Sequence, residues 1–371
     1  SYNVYLCTKF KIIDFRKTIK FKKCLQIFGV VAIILTAFPF LPYDHWTIRM
    51  FDFPHLQLTV LTAIALCASL FTLNIKNYRN YLFAFILTLC FIFQVLKIYS
   101  YTSFASFEVM SSSVGARETI SIYTSNVLQN NKNYNKVISD TEHFNADVVL
   151  FTETDSVWIR KLSSEFDKKY PYNVSVPQQN TYGMLLLSKF KIIDENIRYL
   201  VEDTIPSIDA KLISKFGKKI QIYAIHPAPP TPHHSPTSVD RDAEMMKIAK
   251  FSRDSKYPVI VMGDFNDVAW SESTKLFQEF SGLLDLRKGR GLYNTYNADS
   301  WLLRWPLDHI FVSADFRVKD IQLGSHVGSD HFPFYTKLSL ESNIANQQRL
   351  PPPSQDEIKE AFKQIEKEKN Q

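Results

Sequence analysis

The chain has 371 residues, 46% of them hydrophobic, and carries a net charge of +6. That length allows one large domain and something besides, and the apolar residues are concentrated before residue 105. Its four cysteines lack paired spacing and give no metal-site signature, and much of the positive excess lies at the N-terminus, so the charge by itself does not argue for a nucleic-acid partner.

Residues 1–24 form a basic segment holding Lys9, Lys11, Arg16, Lys17, Lys20, Lys22 and Lys23. Three apolar runs follow within 25–104, at about 25–43, 56–74 and 81–101, and each approaches the roughly 20 residues that cross a bilayer core. Three runs in succession leave no polar face for water, so they are expected to be transmembrane helices and not buried helices of a soluble domain. Further spans follow the first run, and it lacks a small-residue cleavage site, unlike a signal peptide. The loop after the first span offers only Arg49 against Asp44 and Asp52, whereas the next link is basic, with Lys76 and Arg79. Basic segments stay in the cytoplasm, which predicts a multi-pass protein of the inner or plasma membrane with a cytoplasmic N-terminus and everything after about residue 105 on the extracytoplasmic, periplasmic side. Cys7, Cys24, Cys67 and Cys90 all precede that part, in keeping with an oxidising compartment.

Residues 115–340 alternate short β-rich runs with helical stretches. Strands are expected at "TISIYTSNV", "ADVVLFTET", "YGMLLLSK", "KIQIYAIHP", "YPVIVMGDFN", "LDHIFVS" and "FPFYTKLSL", with helices at "KNYNKVISDTEHF" and "VDRDAEMMKIAKFS". Such a series predicts packed sheets clad by helices. The tail, 341–371, reads as a linker with three prolines and a short charged helix opened by a capping box of Ser354 and Glu357. A solvated tail is the simplest expectation, with docking of that helix as the alternative.

Polar residues collect where hydrophobic strands give way to loops. Asn126 ends the first strand, Glu153 follows the second, His226 the fourth, and Asp264 and Asn266 the fifth; Asp308 opens "LDHIFVS", and Asp330 and His331 precede the last strand. Singly, each has a plain explanation as a turn former or a hydrogen-bonded histidine, the class that also holds His233 and His234. Together they suit cleavage of a phosphate ester. A hard cation needs oxygen ligands, and Glu153 is the best-placed carboxylate for Mg²⁺, with Mn²⁺ as an alternative. The attacking water needs a base or orienting carboxylate, and the phosphate needs donors for its growing charge. An aspartate that fixes the tautomer of His331 would complete the set.

In this order, "SNV", "FTET", "IHP", "GDFND", "LDHIFVS" and "SDH" span residues 125–331 and resemble the endonuclease/exonuclease/phosphatase superfamily. The preceding spans, "YGMLLLSK" and "HPAPP" with Arg241 downstream, are most similar to its membrane-bound bacterial, YafD-like members. The resemblance implies an α/β fold, a four-layer αββα sandwich of DNase I type, with a site at one end of the sheets. It also implies roles: Glu153 binds Mg²⁺ with Asn126 beside it, and Asp330 lies next to the metal. Asp264 positions or deprotonates the water, and Asn266 holds a phosphate oxygen. His331 contacts the scissile phosphate while Asp308 orients its ring, and His226 binds phosphate or assists the leaving group. Asp267 matches no motif residue and is expected to serve the turn. One departure is Leu128, where the abasic-site branch carries a further acidic ligand, which speaks against DNA repair; another is Thr295–Tyr296, where many members have Thr-Trp.

The substrate stays open between lipid headgroup phosphodiesters and nucleic acid, and no protein partner is predicted. Between residues 286 and 309, Arg287, Lys288, Arg290 and Arg304 interleave with Tyr293, Tyr296, Trp301 and Trp305. Such a stretch could grip a nucleic-acid backbone, sit among lipid headgroups, or pack upon itself. The alternative to an enzyme is an inactive envelope scaffold or ligand-binding module on the same fold.

Overall fold

A computed structural model describes residues 23–72, 77–232 and 235–369. The basic segment up to residue 22, Lys76, His233 and His234 lie outside the described residues. The chain divides into two compact units. One comprises the described residues up to Tyr43 with Thr47–Tyr99, and the other Asp44–Trp46 with Ser100 onward.

The first unit is helical: α1 (Lys23–Phe40), most of α2 (Trp46–Arg49), α3 (His55–Thr72) and α4 (Tyr78–Tyr99). α1 and α4 are each long and apolar enough to cross a membrane; a third span exists if the pair Trp46–Asp52 and His55–Phe71, bent by 72°, is taken as one. Small residues let these helices approach: a Cβ on Gly29 would stand 2.5 Å from the Phe83 ring, and Ala32 and Ala65 are buried beside Leu87. Inside lies a polar group that the apolar reading of the spans passed over. His55 Nδ1 pairs with Gln94 Oε1, and Gln94 Nε2 donates to Thr36 Oγ1 at 3.1 Å, which ties three helices by side-chain hydrogen bonds.

The second unit holds two six-stranded sheets. The first contains β1 (Thr119–Asn126), β2 (Val148–Thr152), β3 (Tyr172–Val176), β4 (Met184–Ser188), β11 (Phe316–Leu323) and β12 (Phe334–Leu340), ordered β11-β12-β1-β2-β4-β3. The second contains β5 (Lys191–Tyr199), β6 (Pro206–Ile213), β7 (Lys219–Ala224), β8 (Val259–Asp264), β9 (Leu284–Asp285) and β10 (Asp308–Val312), ordered β5-β6-β7-β8-β10-β9. Ile120, Ile122, Val148 and Leu150 of the first sheet face Ile222, Ile260, Met262 and Ile310 of the second in one buried core. The alternate residues of β2, Val149 and Phe151, join Trp158 and Leu162 under α5 (Tyr134–Phe144) and α6 (Ser156–Phe166). Val259 and Val261 of β8 likewise pack with Met246 of α7 (Val239–Arg253) and Phe277 of α8 (Glu272–Ser281). Strands covered on both faces need apolar residues at every position, which is why these runs lack alternation. The result is the expected αββα sandwich.

The tail helix α9 (Gln355–Glu368) opens with the Ser354–Glu357 capping box read from the sequence. It is not a solvated tail. Ala361 is fully buried with Ile358 and Ile365 against the α7–α8 side, Phe362 meets the Phe280 ring at 5.8 Å, and Glu368 accepts from Lys247 at 3.0 Å.

Candidate active site

Strand register brings the polar residues together. β1 and β2 run parallel, so Asn126 and the residue after Thr152 emerge at the same end; β7 and β8 do the same for His226 and Asp264. β10 runs antiparallel to β8 with Asp308 directly opposite Asp264. Ser329 Oγ donates to Asn126 O at 2.8 Å and accepts from His331 N at 3.1 Å, which seats the loop before β12 on the end of β1.

The chain bends sharply here. Glu153 has φ 62° and Asn266 φ 50°, left-handed conformations that cost a side-chain-bearing residue energy and are held by their surroundings. Gly263, at φ 139°, is required by close approach: a Cβ there would lie 2.0 Å from the carbonyl oxygen of Ile225.

At the centre stands Asp264, 2% exposed. Its Oδ1 accepts from the Asn266 backbone at 2.9 Å. Its Oδ2 faces three nitrogens: Asn126 Nδ2 at 3.1 Å, His331 Nε2 at 3.5 Å and His226 Nε2 at 3.7 Å. Asn126 Nδ2 also donates to Glu153 Oε1 at 2.8 Å, so one amide bridges the two carboxylates, and Glu153 Oε2 accepts from Gln129 N at 3.1 Å. On its other side His331 pairs Nδ1 with Asp308 Oδ2 at 2.7 Å. Asn266 turns its own amide to Pro227 O at 3.0 Å. Asp330 is half-buried next to His331. Thr295 Oγ1 accepts from Asp308 N at 3.1 Å, and the Tyr296 ring centroid lies 5.0 Å from that of His331.

The charges are strongly perturbed. Burial works against a His331 cation, yet Asp308, Asp264 and Asp330 outweigh it and raise its pKa to about 10. Burial also pushes Asp308 up, but the His331 charge and hydrogen bond hold it below the usual carboxylate range. Asp264 is raised, chiefly by burial and also by Asp308, against the opposing pull of His331. Burial raises Asp330 as well. The site therefore sets an imidazolium among carboxylates.

Ligand atoms of Asp264, Asp308 and His331 lie within 4.8 Å of one another, a group that could hold a metal ion. Of these atoms, His331 Nδ1 is already committed to Asp308. Glu153, bridged to Asp264 by the Asn126 amide, and the neighbouring Asp330 add further carboxylate oxygens, the ligand type that a hard divalent cation takes.

Behind the site lies a second polar layer that sequence reasoning missed. Asp267, expected only to serve a turn, is 1% exposed. It pairs with Arg241 Nη1 at 3.2 Å and accepts from Thr274 Oγ1 at 3.2 Å. Arg241 Nη1 also donates to Asn266 O at 2.9 Å, and its other nitrogens hold Asp242. His309 Nε2 lies 2.9 Å from Asp267 O, and its Nδ1 meets Arg287 Nη2. Burial, and next the Arg287 charge, lower the His309 pKa to about 3, so the ring is neutral and donates to Asp267 O. Arg287, read as a candidate for gripping a nucleic-acid backbone, is 0% exposed and bound to Asp285. Lys288 pairs with Glu108 at 2.7 Å.

Known proteins share both pattern and fold. The model of the Endonuclease/Exonuclease/phosphatase family matches residues 123–331. The chain belongs to this family. It is accordingly a hydrolase acting on phosphate esters. Comparison with curated proteins returns no match. Among solved structures, D. rerio TDP2 humanized by 14 mutations is similar over 59% of this chain and 98% of its own, at 16% identity and a TM-score of 0.51. D. rerio TDP2 complexed with single strand DNA product gives 60%, 99%, 16% and 0.51 for the same quantities. An endonuclease/exonuclease/phosphatase from Bacteroides vulgatus covers 61% of this chain and 100% of its own, at 19% identity and a TM-score of 0.50. At these identities the likeness shows the DNase I-like fold.

Proposed function

We propose that this family member is a membrane-anchored, Mg²⁺-dependent phosphoesterase that cleaves phosphodiester or phosphomonoester bonds by attack of water. The observation that carries the reading is the buried Asp308–His331–Asp264 line, in which one imidazolium stands between two carboxylates at the mouth of the sandwich.

Glu153 and Asp330 would hold the cation, and Mn²⁺ could replace Mg²⁺. When bound, the ion neutralises phosphate charge and polarises the phosphoryl oxygens. Asp264, its proton affinity raised by burial, orients the attacking water and accepts its proton. His331 donates from Nε2 to the oxygen on which charge builds, while Asp308 fixes the ring at Nδ1. Asn126 keeps Glu153 and Asp264 in register. Asn266 offers its amide to a phosphate oxygen after leaving Pro227 O, and His226 supports the leaving group.

The chain would sit in the inner or plasma membrane with its N-terminus cytoplasmic and the catalytic unit outside, a reading supported by the basic residues of the N-terminal segment and of the link after the second apolar run. That arrangement is in line with a YafD-like, membrane-bound member. Lipid headgroup phosphodiesters and nucleic acid both suit the chemistry, and one relative of similar fold is described with a single strand DNA product. The test is hydrolysis of a soluble phosphodiester by the full chain with and without Mg²⁺. A scaffold would bind such a compound without turnover, and it would have no need of the proton-transfer set.

A further inference from the structure

Beside His331 the chain makes a small hairpin. Tyr296 and Trp305 face each other across it, Tyr296 N donating to Trp305 O at 2.9 Å, and Tyr296 also bridges to His331. The tip between them is stiffened by its own polar residues: Asn297 Oδ1 accepts from Asp299 N at 2.9 Å, and the Ser300 hydroxyl accepts from Leu303 N at 2.9 Å. At the base Arg304 stacks over Phe332, 4.9 Å from its centroid. What this frame presents outward is apolar. Trp301 is 86% exposed, Leu302 55% and Leu303 48%.

A soluble surface does not ordinarily spend a rigid turn on three adjacent large apolar side chains. Two facts identify what they meet. The chain carries helices long and apolar enough to cross a membrane. Within the catalytic unit, moreover, Asp44, Trp46 and Tyr101 attach to the loops that follow His226 and Asp264. Trp46 N donates to Pro236 O at 2.9 Å, Ser238 N donates to Asp44 O at 2.8 Å, and the Tyr101 hydroxyl bonds to Ala269 O. The hairpin and both attachments thus belong to the end of the sandwich that bears the site.

We propose that the 296–305 hairpin is a membrane-docking element whose tip, Trp301 to Leu303, enters the headgroup and upper acyl region of the bilayer and brings the site onto lipid headgroup phosphodiesters. The chemistry fits: tryptophan favours the interface and leucine the acyl boundary. The docking surface stands on the exposed tip, while the substrate class rests on the phosphoesterase reading above.

The test uses the full chain reconstituted in phosphatidylethanolamine/phosphatidylglycerol vesicles, with and without brominated acyl chains. Wild type is compared with Trp301→Phe for the fluorescence that bromine quenches, and with Trp301→Ser/Leu303→Ser for turnover. Turnover is read on the vesicle phospholipid, on bis(p-nitrophenyl) phosphate and on a single-stranded oligonucleotide. The proposal expects bromine to quench the Trp301 component. It also expects the double variant to lower the ratio of lipid to soluble-diester turnover about tenfold, the equivalent of ~1.4 kcal/mol of interfacial binding. An unquenched Trp301 overturns it, as does an unchanged ratio. A loss confined to the oligonucleotide also overturns it and makes the tip a base-stacking platform. A quenched Trp301 on a chain inert toward all three substrates upholds the docking surface and refutes the phosphoesterase reading instead.

Discussion

His331 Nδ1 lies 2.7 Å from Asp308 Oδ2, across a register in which Asp308 stands opposite Asp264 on neighbouring strands. One imidazole therefore answers to two carboxylates held by the same sheet. Removing the ring by His331→Ala should lower kcat by about 10²–10⁴. Asp308→Asn should cost a comparable factor, and the double variant little more than either single one, because the pair acts as a unit. Steady-state kinetics on a soluble phosphodiester checks the three values.

The layer behind the site is expected to govern stability. Arg241→Ala leaves Asp267 and Asp242 buried without their shared cation, a loss of about 3–5 kcal/mol. At roughly 2–4 °C per kcal/mol, that lowers the unfolding temperature by about 10 °C, measurable by thermal scanning in detergent. Arg241→Lys keeps the charge but cannot hold Asp242 and Asn266 O together, so it should fall between the two.

Glu244 provides a pH signature away from the chemistry. It is fully buried, accepts from Ser207 at 2.6 Å, and burial lifts its pKa to about 7 from an ordinary 4.5. The folded state thus keeps a proton that the unfolded chain has lost. This contribution is fully present below pH 4.5 and is lost as pH rises through 7, a change on the order of 3 kcal/mol. The unfolding temperature of wild type should fall between pH 5 and 8, and Glu244→Gln should remove that part of the slope.

Gly263→Ala is a further test, since the added Cβ would collide with the Ile225 carbonyl between two central strands. Destabilisation of about 3 kcal/mol or more is expected, together with loss of turnover because Asp264 is the next residue. The same substitution at Gly217, where a Cβ meets nothing within 4 Å, disturbs no neighbour and costs only the strain of its positive φ.

What the sequence made legible follows from burial. β1, β2, β4, β7, β8, β10 and β12 are covered on both faces or nearly so, and their unbroken apolar runs announce them. β5, "KIIDENIRY", is a largely exposed edge strand whose polar residues hide it, and β3 shows only a short alternation. The helix α9 was legible in its cap, but the stripe of Ile358, Ala361, Phe362 and Ile365 was masked by the charges around it. In the site, residues at strand ends could be collected because a polar side chain after a buried strand stands out. Arg241 and His309 could not, since their partners lie 25 and 42 residues away and only the folded chain reveals them. His309 lies within "LDHIFVS", yet nothing in its neighbours distinguishes an interior hydrogen-bond donor from an ordinary strand residue.

Metal-assisted hydrolysis at the Asp308–His331–Asp264 line is tested most directly by titrating Mg²⁺ into the EDTA-treated full chain while following cleavage of bis(p-nitrophenyl) phosphate. Activity is expected to rise and saturate with Mg²⁺, to be absent from His331→Ala, and to need a higher Mg²⁺ concentration in Glu153→Gln. Metal-independent cleavage, or cleavage that survives His331→Ala undiminished, would contradict it.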